Sequence, residues 1–270
     1  MQSVSLIGIP HDGNSSFNKG PAEAPPLIRH ELNSDCYSIW TETGIDLYVE
    51  GRLVDHGDIR FEGDGDPWDV VTDAVGQTLK SDAPLISLGG DHAVTYPVLR
   101  AVRRRHPQLT VLHFDAHPDI YDAYQGNPRS HASPFARIME EGLTDRLIQV
   151  GLRATNDHHR AQFERFGVEV IEMGRCNGPL NLDLATPVYI SLDLDGLDPA
   201  YAPGVSHPEP GGLTVRDVLG VIQSLPGPII GADIVELNPS RDVNDLTAFV
   251  AAKSVKEIAS RMLQTEDSRA

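Results

Sequence analysis

Four short segments of this chain carry aspartate, glutamate or histidine directly at or after an apolar run. They are Leu88-Gly-Gly-Asp-His92, His113-Phe-Asp-Ala-His-Pro-Asp119, Ser191-Leu-Asp-Leu-Asp195 and Asp233-Ile-Val-Glu236. If the apolar runs are strands, their side chains alternate with period two. Asp115 and His117 then share one side, and Asp193 and Asp195 do the same. Asp119 follows on the loop, where it can turn back. His92 follows two glycines, which permit a sharp bend at a strand end. These positions would bring four carboxylates and two imidazoles together.

Carboxylates crowded in this way raise one another's pKa and oppose folding. Two divalent cations would balance four carboxylates, so the set points to a binuclear metal site. Oxygen-rich donors with two imidazoles suit Mn²⁺ better than a thiolate-type zinc site, with Zn²⁺, Fe²⁺, Ni²⁺ and Co²⁺ as alternatives. Taken singly, each residue has a blander role, since an Asp at a strand end commonly forms a turn. The metal reading belongs to the set. Two metals held close together activate a bridging water near neutral pH, so the expected chemistry is hydrolysis.

The elements that must position these residues follow a strand-helix alternation. Strands are expected at Val4–Ile9, Leu47–Val54, Pro84–Leu88, Leu109–Phe114, Leu147–Gly151, Val168–Ile171, Val188–Leu194 and Ile229–Val235. Helices are expected at Pro67–Lys80, Tyr96–Arg105, Ser133–Glu141, Asp157–Arg165, Thr214–Leu225 and Asp245–Leu263. Thr214 is the expected cap of its helix. Alternation of this kind implies right-handed crossovers and a mainly parallel sheet. In such sheets ligands bind beyond the carboxyl ends of the strands, where the four segments fall. With no internal repeat and no clear linker, residues 1–270 are read as a single α/β domain.

Composition narrows the partners. The 270 residues include 22 Lys and Arg against 39 Asp and Glu, a net charge of −17. That balance argues against nucleic acid, which wants clustered cations, and against an anionic membrane surface. It suits a cationic small molecule or metal ions. The two cysteines, Cys36 and Cys176, make no disulfide framework. With no signal-like start and no apolar run of membrane-spanning length, the expected location is cytoplasmic. Arg103-Arg-Arg105 is the only basic run, and its place at a helix end suits the helix dipole.

Several motifs together resemble the arginase/agmatinase (ureohydrolase) family. They are Gly89-Gly-Asp-His92, Phe114-Asp-Ala-His-Pro-Asp119, Ser130-His131, Ser191-Leu-Asp-Leu-Asp-Gly-Leu-Asp-Pro199, Ala202-Pro-Gly204, Pro210-Gly-Gly-Leu213 and Val235-Glu-Leu-Asn-Pro239. The resemblance runs from about Ile7 to about Leu263 in the family's order. Asp119–Asn127, Ser130–Ser133 and Gly204–Gly212 look most like plant-type arginases and their bacterial relatives. The resemblance implies a three-layer α/β/α sandwich, two Mn²⁺ per subunit and a homotrimer or homohexamer. It implies that His92, Asp115, Asp119 and Asp193 hold one metal. Asp115, His117, Asp193 and Asp195 would hold the other, with Asp115 and Asp193 shared. Glu236 matches the carboxylate that receives the substrate guanidinium, a pairing that suits a planar cation. His131 matches the proton-shuttle histidine, a role imidazole fills at neutral pH.

The expected reaction is hydrolysis of a small guanidino substrate to urea and an amine, with L-arginine ahead of agmatine and guanidinobutyrate. Asn127 and Ser130 are candidates to reach a substrate carboxylate, although both residue types also form turns. Animal-type arginases place acidic residues after a Gly-Leu-Arg segment; here Ala154 and Asn156 stand at two of those positions. His207 is either a pocket-lining residue or a surface one. Two other classes compete: a mononuclear zinc amide hydrolase of the deacetylase kind and a catalytically silent metal-binding regulator. The complete set of six ligands disfavours both.

Overall fold

A computed structural model describes residues 3–35, 38, 40–176, 180, 182, 184 and 186–267. Cys36 lies outside the described residues, and Cys176 is a free thiol. Eight strands form one sheet: β1 (Val4–Gly8), β2 (Leu53–Asp58), β3 (Leu85–Leu88), β4 (Thr110–Phe114), β5 (Arg146–Leu152), β6 (Glu169–Glu172), β7 (Val188–Asp193) and β8 (Ile229–Val235). Their order is β2-β1-β3-β8-β7-β4-β5-β6, and every pairing is parallel. The seven α-helices are α1 (Ala24–Leu32), α2 (Pro67–Thr78), α3 (Thr95–Arg103), α4 (Pro134–Glu140), α5 (Asp157–Phe166), α6 (Val215–Ser224) and α7 (Leu246–Asp267).

Both faces of the sheet are covered, which is why its central strands read as unbroken apolar runs. On one face Ile86, Leu112, Ile190 and Ala232 pack with Ile28 of α1, Leu219 and Ile222 of α6 and Val255 and Ile258 of α7. On the other, Leu85, Val111 and Tyr189 pack with Val71 of α2, Leu99 of α3 and Phe135 of α4. The result is the expected three-layer α/β/α sandwich. No described helix is long and apolar enough to cross a membrane.

Local chemistry sets the helix ends. Thr214 caps α6 and forms a reciprocal box with Asp217: Thr214 Oγ1 accepts the Asp217 N–H at 3.0 Å, and Asp217 Oδ2 accepts the Thr214 N–H at 2.9 Å. Thr214→Ala should cost about 1 kcal/mol, read as a lower urea midpoint at unchanged slope. At the start of α7, Asn244 and Asp245 have φ of 51° and 57°. These left-handed residues exclude Asp245 from the helix, which begins at Leu246. Arg103 ends α3 and donates to both carboxylate oxygens of Asp145 at 2.9 Å, and Arg105 pairs with Asp82. Two of the three arginines of the basic run are therefore held by acidic neighbours.

The second strand departs from the expectation. Residues 47–52 form turns, with Gly51 at φ 82°, and the strand begins only at Leu53. β2 is an edge strand with one paired neighbour, and its Val54–Asp58 side is exposed. An exposed edge needs no apolar run and is often charged.

Candidate metal centre

The four segments singled out in the sequence follow β3, β4, β7 and β8, which lie side by side as β3-β8-β7-β4. Their carboxyl ends therefore share one stretch of sheet edge. After β3 the chain turns at Gly89-Gly90. A Cβ on Gly90 would sit 2.0 Å from the His11 carbonyl oxygen, so only glycine lets the two backbones pass this closely. Asp91 then accepts the Asn14 N–H at 2.8 Å and the Ala93 N–H at 3.1 Å, which ties the loop after β1 to the site. Burial, followed by the charge of Glu236, pushes the Asp91 carboxyl up to about 7.

His92 follows, with no exposed surface. Its Nδ1 lies 3.0 Å from Asp193 Oδ2, 3.1 Å from Asp119 Oδ2 and 3.3 Å from Asp115 Oδ2. Despite those distances Nδ1 has no hydrogen-bond partner. The other ring nitrogen explains why. Ser191 Oγ donates to Asp233 Oδ1 at 2.7 Å, and Tyr189 donates to Asp233 Oδ2 at 2.6 Å. Ser191 has then spent its one proton, so at 3.0 Å its oxygen accepts from His92 Nε2–H. Nδ1 therefore points at three carboxylate oxygens. Burial opposes charging the imidazole, yet their charges draw positive charge to this point and hold it well above its usual range. The four side chains offer ligand atoms close enough together to hold one metal ion, which would supply the positive charge in place of a proton.

The second group contains Asp115, His117 and Asp195. His117 Nδ1 lies 3.2 Å from Asp195 Oδ2 and 3.5 Å from Asp115 Oδ1. Strand alternation does not bring these residues together, because β4 stops at Phe114 and β7 at Asp193. A turn device repeats instead. Asp115 Oδ1 accepts the His117 N–H at 2.6 Å, and Asp193 Oδ1 accepts the Asp195 N–H at 2.8 Å. Each leading Asp thereby folds the residue two positions on toward itself. Asp119, at φ 47°, is a non-glycine residue in the left-handed region, as is Glu236 at φ 65°. Asp adopts this region readily, as Asp245 does, so Glu236 is the less usual of the two.

The electrostatics favour added positive charge. Burial, then the charges of Asp195 and Asp115, push Asp193 well above the carboxylate range. Burial also raises Asp195, to about 7, against the pull of His117. Burial works to raise Glu236 as well, but the His131 imidazolium outweighs it and holds the carboxyl below its usual value. Glu236 Oε1 accepts the His92 N–H at 2.8 Å and the His131 Nδ1–H at 2.8 Å. For His131, burial opposes charging, yet the Glu236 charge carries it up to about 9. Its Nε2 lies 2.8 Å from Ser16 Oγ.

These groups open on a cavity of about 330 Å³ lined by His117, Asp119, His131, Asp193, Asp195 and Glu236, with Tyr121, Ala154, Asn156, His159, His207 and Glu209 also on its wall. His207 is thus a cavity residue, its ring 5.2 Å from that of His131. Asn127 and Ser130 are not on this wall. Asn127 is exposed, and its Oδ1 accepts the Arg129 N–H at 2.9 Å. Ser130 is buried, and its Oγ accepts the Ala132 N–H at 3.3 Å. A second cavity of similar volume lies among Pro84, Pro187 and Pro228, away from the metal-binding groups.

Three supporting residues escaped the sequence reading. His113 donates from Nε2 to Asp115 Oδ2 at 2.8 Å, accepts from Gln149 at 3.0 Å and stacks on Phe135. Ser191 and Asp233 orient His92. Their signal was a polar side chain inside a strand buried on both faces, where it must find a partner. Asp233→Asn should weaken metal binding about 10- to 100-fold by loosening the His92 ring. Metal titration of the folded variant checks this, and unchanged affinity would remove Asp233 from the support of the site.

Comparison with known proteins agrees with this geometry. The sequence model of the Arginase family matches residues 2–260. The chain is 46% identical to "Arginase 1, mitochondrial" of Arabidopsis thaliana, covering 96% of this chain and 81% of that one. It superposes on the solved arginase of Medicago truncatula with a TM-score of 0.90 at 42% identity, covering 97% of this chain and 87% of that one. The agmatine ureohydrolase of Thermoplasma volcanium is more distant, with a TM-score of 0.85 at 31% identity over 100% of this chain and 92% of that one. The Arabidopsis protein is named mitochondrial, and a second from that plant is named chloroplastic or mitochondrial. These names point to organelles and overturn the cytoplasmic expectation.

Proposed function

The chain belongs to the arginase family, and from that premise we propose that it hydrolyses L-arginine to L-ornithine and urea at a binuclear metal site. The observation that carries the reading is the gathering of three buried carboxylates within 3.3 Å of His92 Nδ1, beside Glu236. The greater likeness to the plant arginases than to the agmatine ureohydrolase supports arginine as the substrate.

In this reading His92, Asp115, Asp119 and Asp193 hold one metal, and Asp115, His117, Asp193 and Asp195 hold the other. Mn²⁺ is the proposed metal, supported by the oxygen-rich donor set. When bound, the pair supplies an activated water and positive charge at the reacting carbon. Glu236 receives the guanidinium and orients its plane, and its backbone and imidazole donors keep it in place. His131, kept protonated by Glu236, delivers a proton from Nε2 to the departing amine. The two groups of donors, His92 with Asp115, Asp119 and Asp193, and Asp115 with His117 and Asp195, support two metals rather than one zinc, and the retained His131 supports an active enzyme. We also propose that residues 1–270 form one ureohydrolase unit, which the continuous sheet supports, and that the family's homotrimer or homohexamer is the assembly.

The test is urea release by Mn²⁺-loaded protein with arginine, agmatine and guanidinobutyrate at equal concentration. Arginine is expected to lead in kcat/KM by at least about tenfold, the discrimination one well-placed polar contact supplies. A lead for agmatine or guanidinobutyrate would keep the site and overturn the substrate.

A further inference from the structure

His159 takes no part in the chemistry above, yet it lines the cavity and is only 4% exposed. It is the third residue of α5, and the helix start fixes its protonation. Asn156 Oδ1 accepts the His159 N–H at 3.1 Å, and the Asn156 N–H donates to His159 Nδ1 at 3.3 Å. A ring nitrogen that accepts an N–H carries no proton of its own, so the neutral ring holds its proton on Nε2. Nε2 is buried and has no partner. Leaving a buried donor unbonded is costly, and His159, like His207 on the same cavity wall, keeps a ring nitrogen with no protein partner that a ligand could satisfy.

The surroundings hold the ring in place. Tyr121 packs across it at 4.4 Å between centroids, and Tyr121 OH accepts from Asn156 Nδ2 at 2.7 Å. Burial lowers the imidazole to about 4, against the pull of Asp119, so it stays a neutral donor at ordinary pH. We propose that His159 Nε2–H is a specificity donor for the carboxylate of a guanidino acid, which favours arginine over its decarboxylated analogue. An ammonium group carries donors alone and cannot pair with an N–H, whereas a carboxylate can. The N-terminus of α5 adds a favourable dipole for a negative group. The neighbouring wall residues Ala154 and Asn156 bring no opposing carboxylate.

This inference rests on the guanidino-hydrolase reading, and its test separates the two. His159→Gln and His159→Glu both keep an acceptor for the Asn156 N–H, as a capping box requires. Gln also keeps a donor, while Glu places a negative charge there. For L-arginine and 5-guanidinopentanoate, His159→Glu should raise KM at least about tenfold with little change in kcat, as loss of a hydrogen bond to a charged group predicts. Agmatine should show no rise, and His159→Gln should stay near wild type with all three. Calorimetric binding of L-norvaline, which has the same head group without the guanidino end, reads the contact without turnover. It should weaken in His159→Glu and persist in His159→Gln. An unchanged or lower KM for arginine in His159→Glu, an equal rise with all three substrates, or equal norvaline binding by all forms would overturn the inference. A wild type that binds norvaline but releases no urea from arginine would instead overturn the functional reading.

Discussion

Asp193→Ala should leave the protein folded, remove bound metal and lower urea release by at least about a thousandfold, because metal activation of water supplies a large part of the catalysis. Asp193 occupies the middle of the site. Its Oδ2 faces His92 Nδ1 at 3.0 Å, and its Oδ1 holds the Asp195 N–H at 2.8 Å. One substitution therefore removes a proposed ligand of both metals and frees the turn that orients Asp195. The fold should tolerate the change, since Asp193 ends β7 and its removal relieves crowding among buried carboxylates. Without added metal, the variant should melt no lower than the metal-free parent. Elemental analysis per chain and a urea assay are the two readouts. Two retained metals with full turnover would sink the ligand assignment.

His131→Asn should show the opposite pattern, with metal content kept and kcat reduced about 10²- to 10⁴-fold, the usual contribution of a positioned acid or base. His131 belongs to neither ligand group, and its Nδ1 bonds Glu236 at 2.8 Å. Asn can still donate to that buried carboxylate but cannot deliver a proton. The substitution thus separates the proton-delivery role from the holding of Glu236. Alanine would confuse the two, because it strips a buried carboxylate of a charged partner. Turnover at the parental rate across the pH range would exclude His131 from proton delivery.

Much of the site was legible because its residues interrupt apolar runs at strand ends. His92, Asp115, His117, Asp119, Asp193, Asp195, His131 and Glu236 all line or adjoin one cavity. The reason inferred for the Asp-x-His and Asp-x-Asp spacing was incomplete. Strand alternation ends one residue before Asp115 and at Asp193, and side-chain-to-backbone turns do the rest. Asp233 was passed over because it sits within a strand, and its partners Tyr189 and Ser191 lie more than 40 positions away. Long-range pairing of that kind leaves no local spacing to read. β2 was misplaced because an edge strand lacks the buried faces that write apolar runs into the sequence. Asn127 and Ser130 are close to His131 in sequence, but their side-chain oxygens accept local backbone N–H groups and neither residue is on the cavity wall.

The sheet order has a consequence for how the chain assembles. β8, the last strand in sequence, lies between β3 and β7. Before residues 229–235 leave the ribosome, the sheet can exist only as two separate portions, β2-β1-β3 and β7-β4-β5-β6. Each portion then ends in an apolar strand, β3 or β7, with an unpaired edge of the kind that recruits foreign strands. Closing the gap needs contacts between distant parts of the chain, such as His92 with Glu236, 144 residues apart, and topologies of this sort fold slowly. The nascent protein is therefore most exposed to aggregation late in synthesis, and the strand that ends this exposure is the one that delivers Glu236.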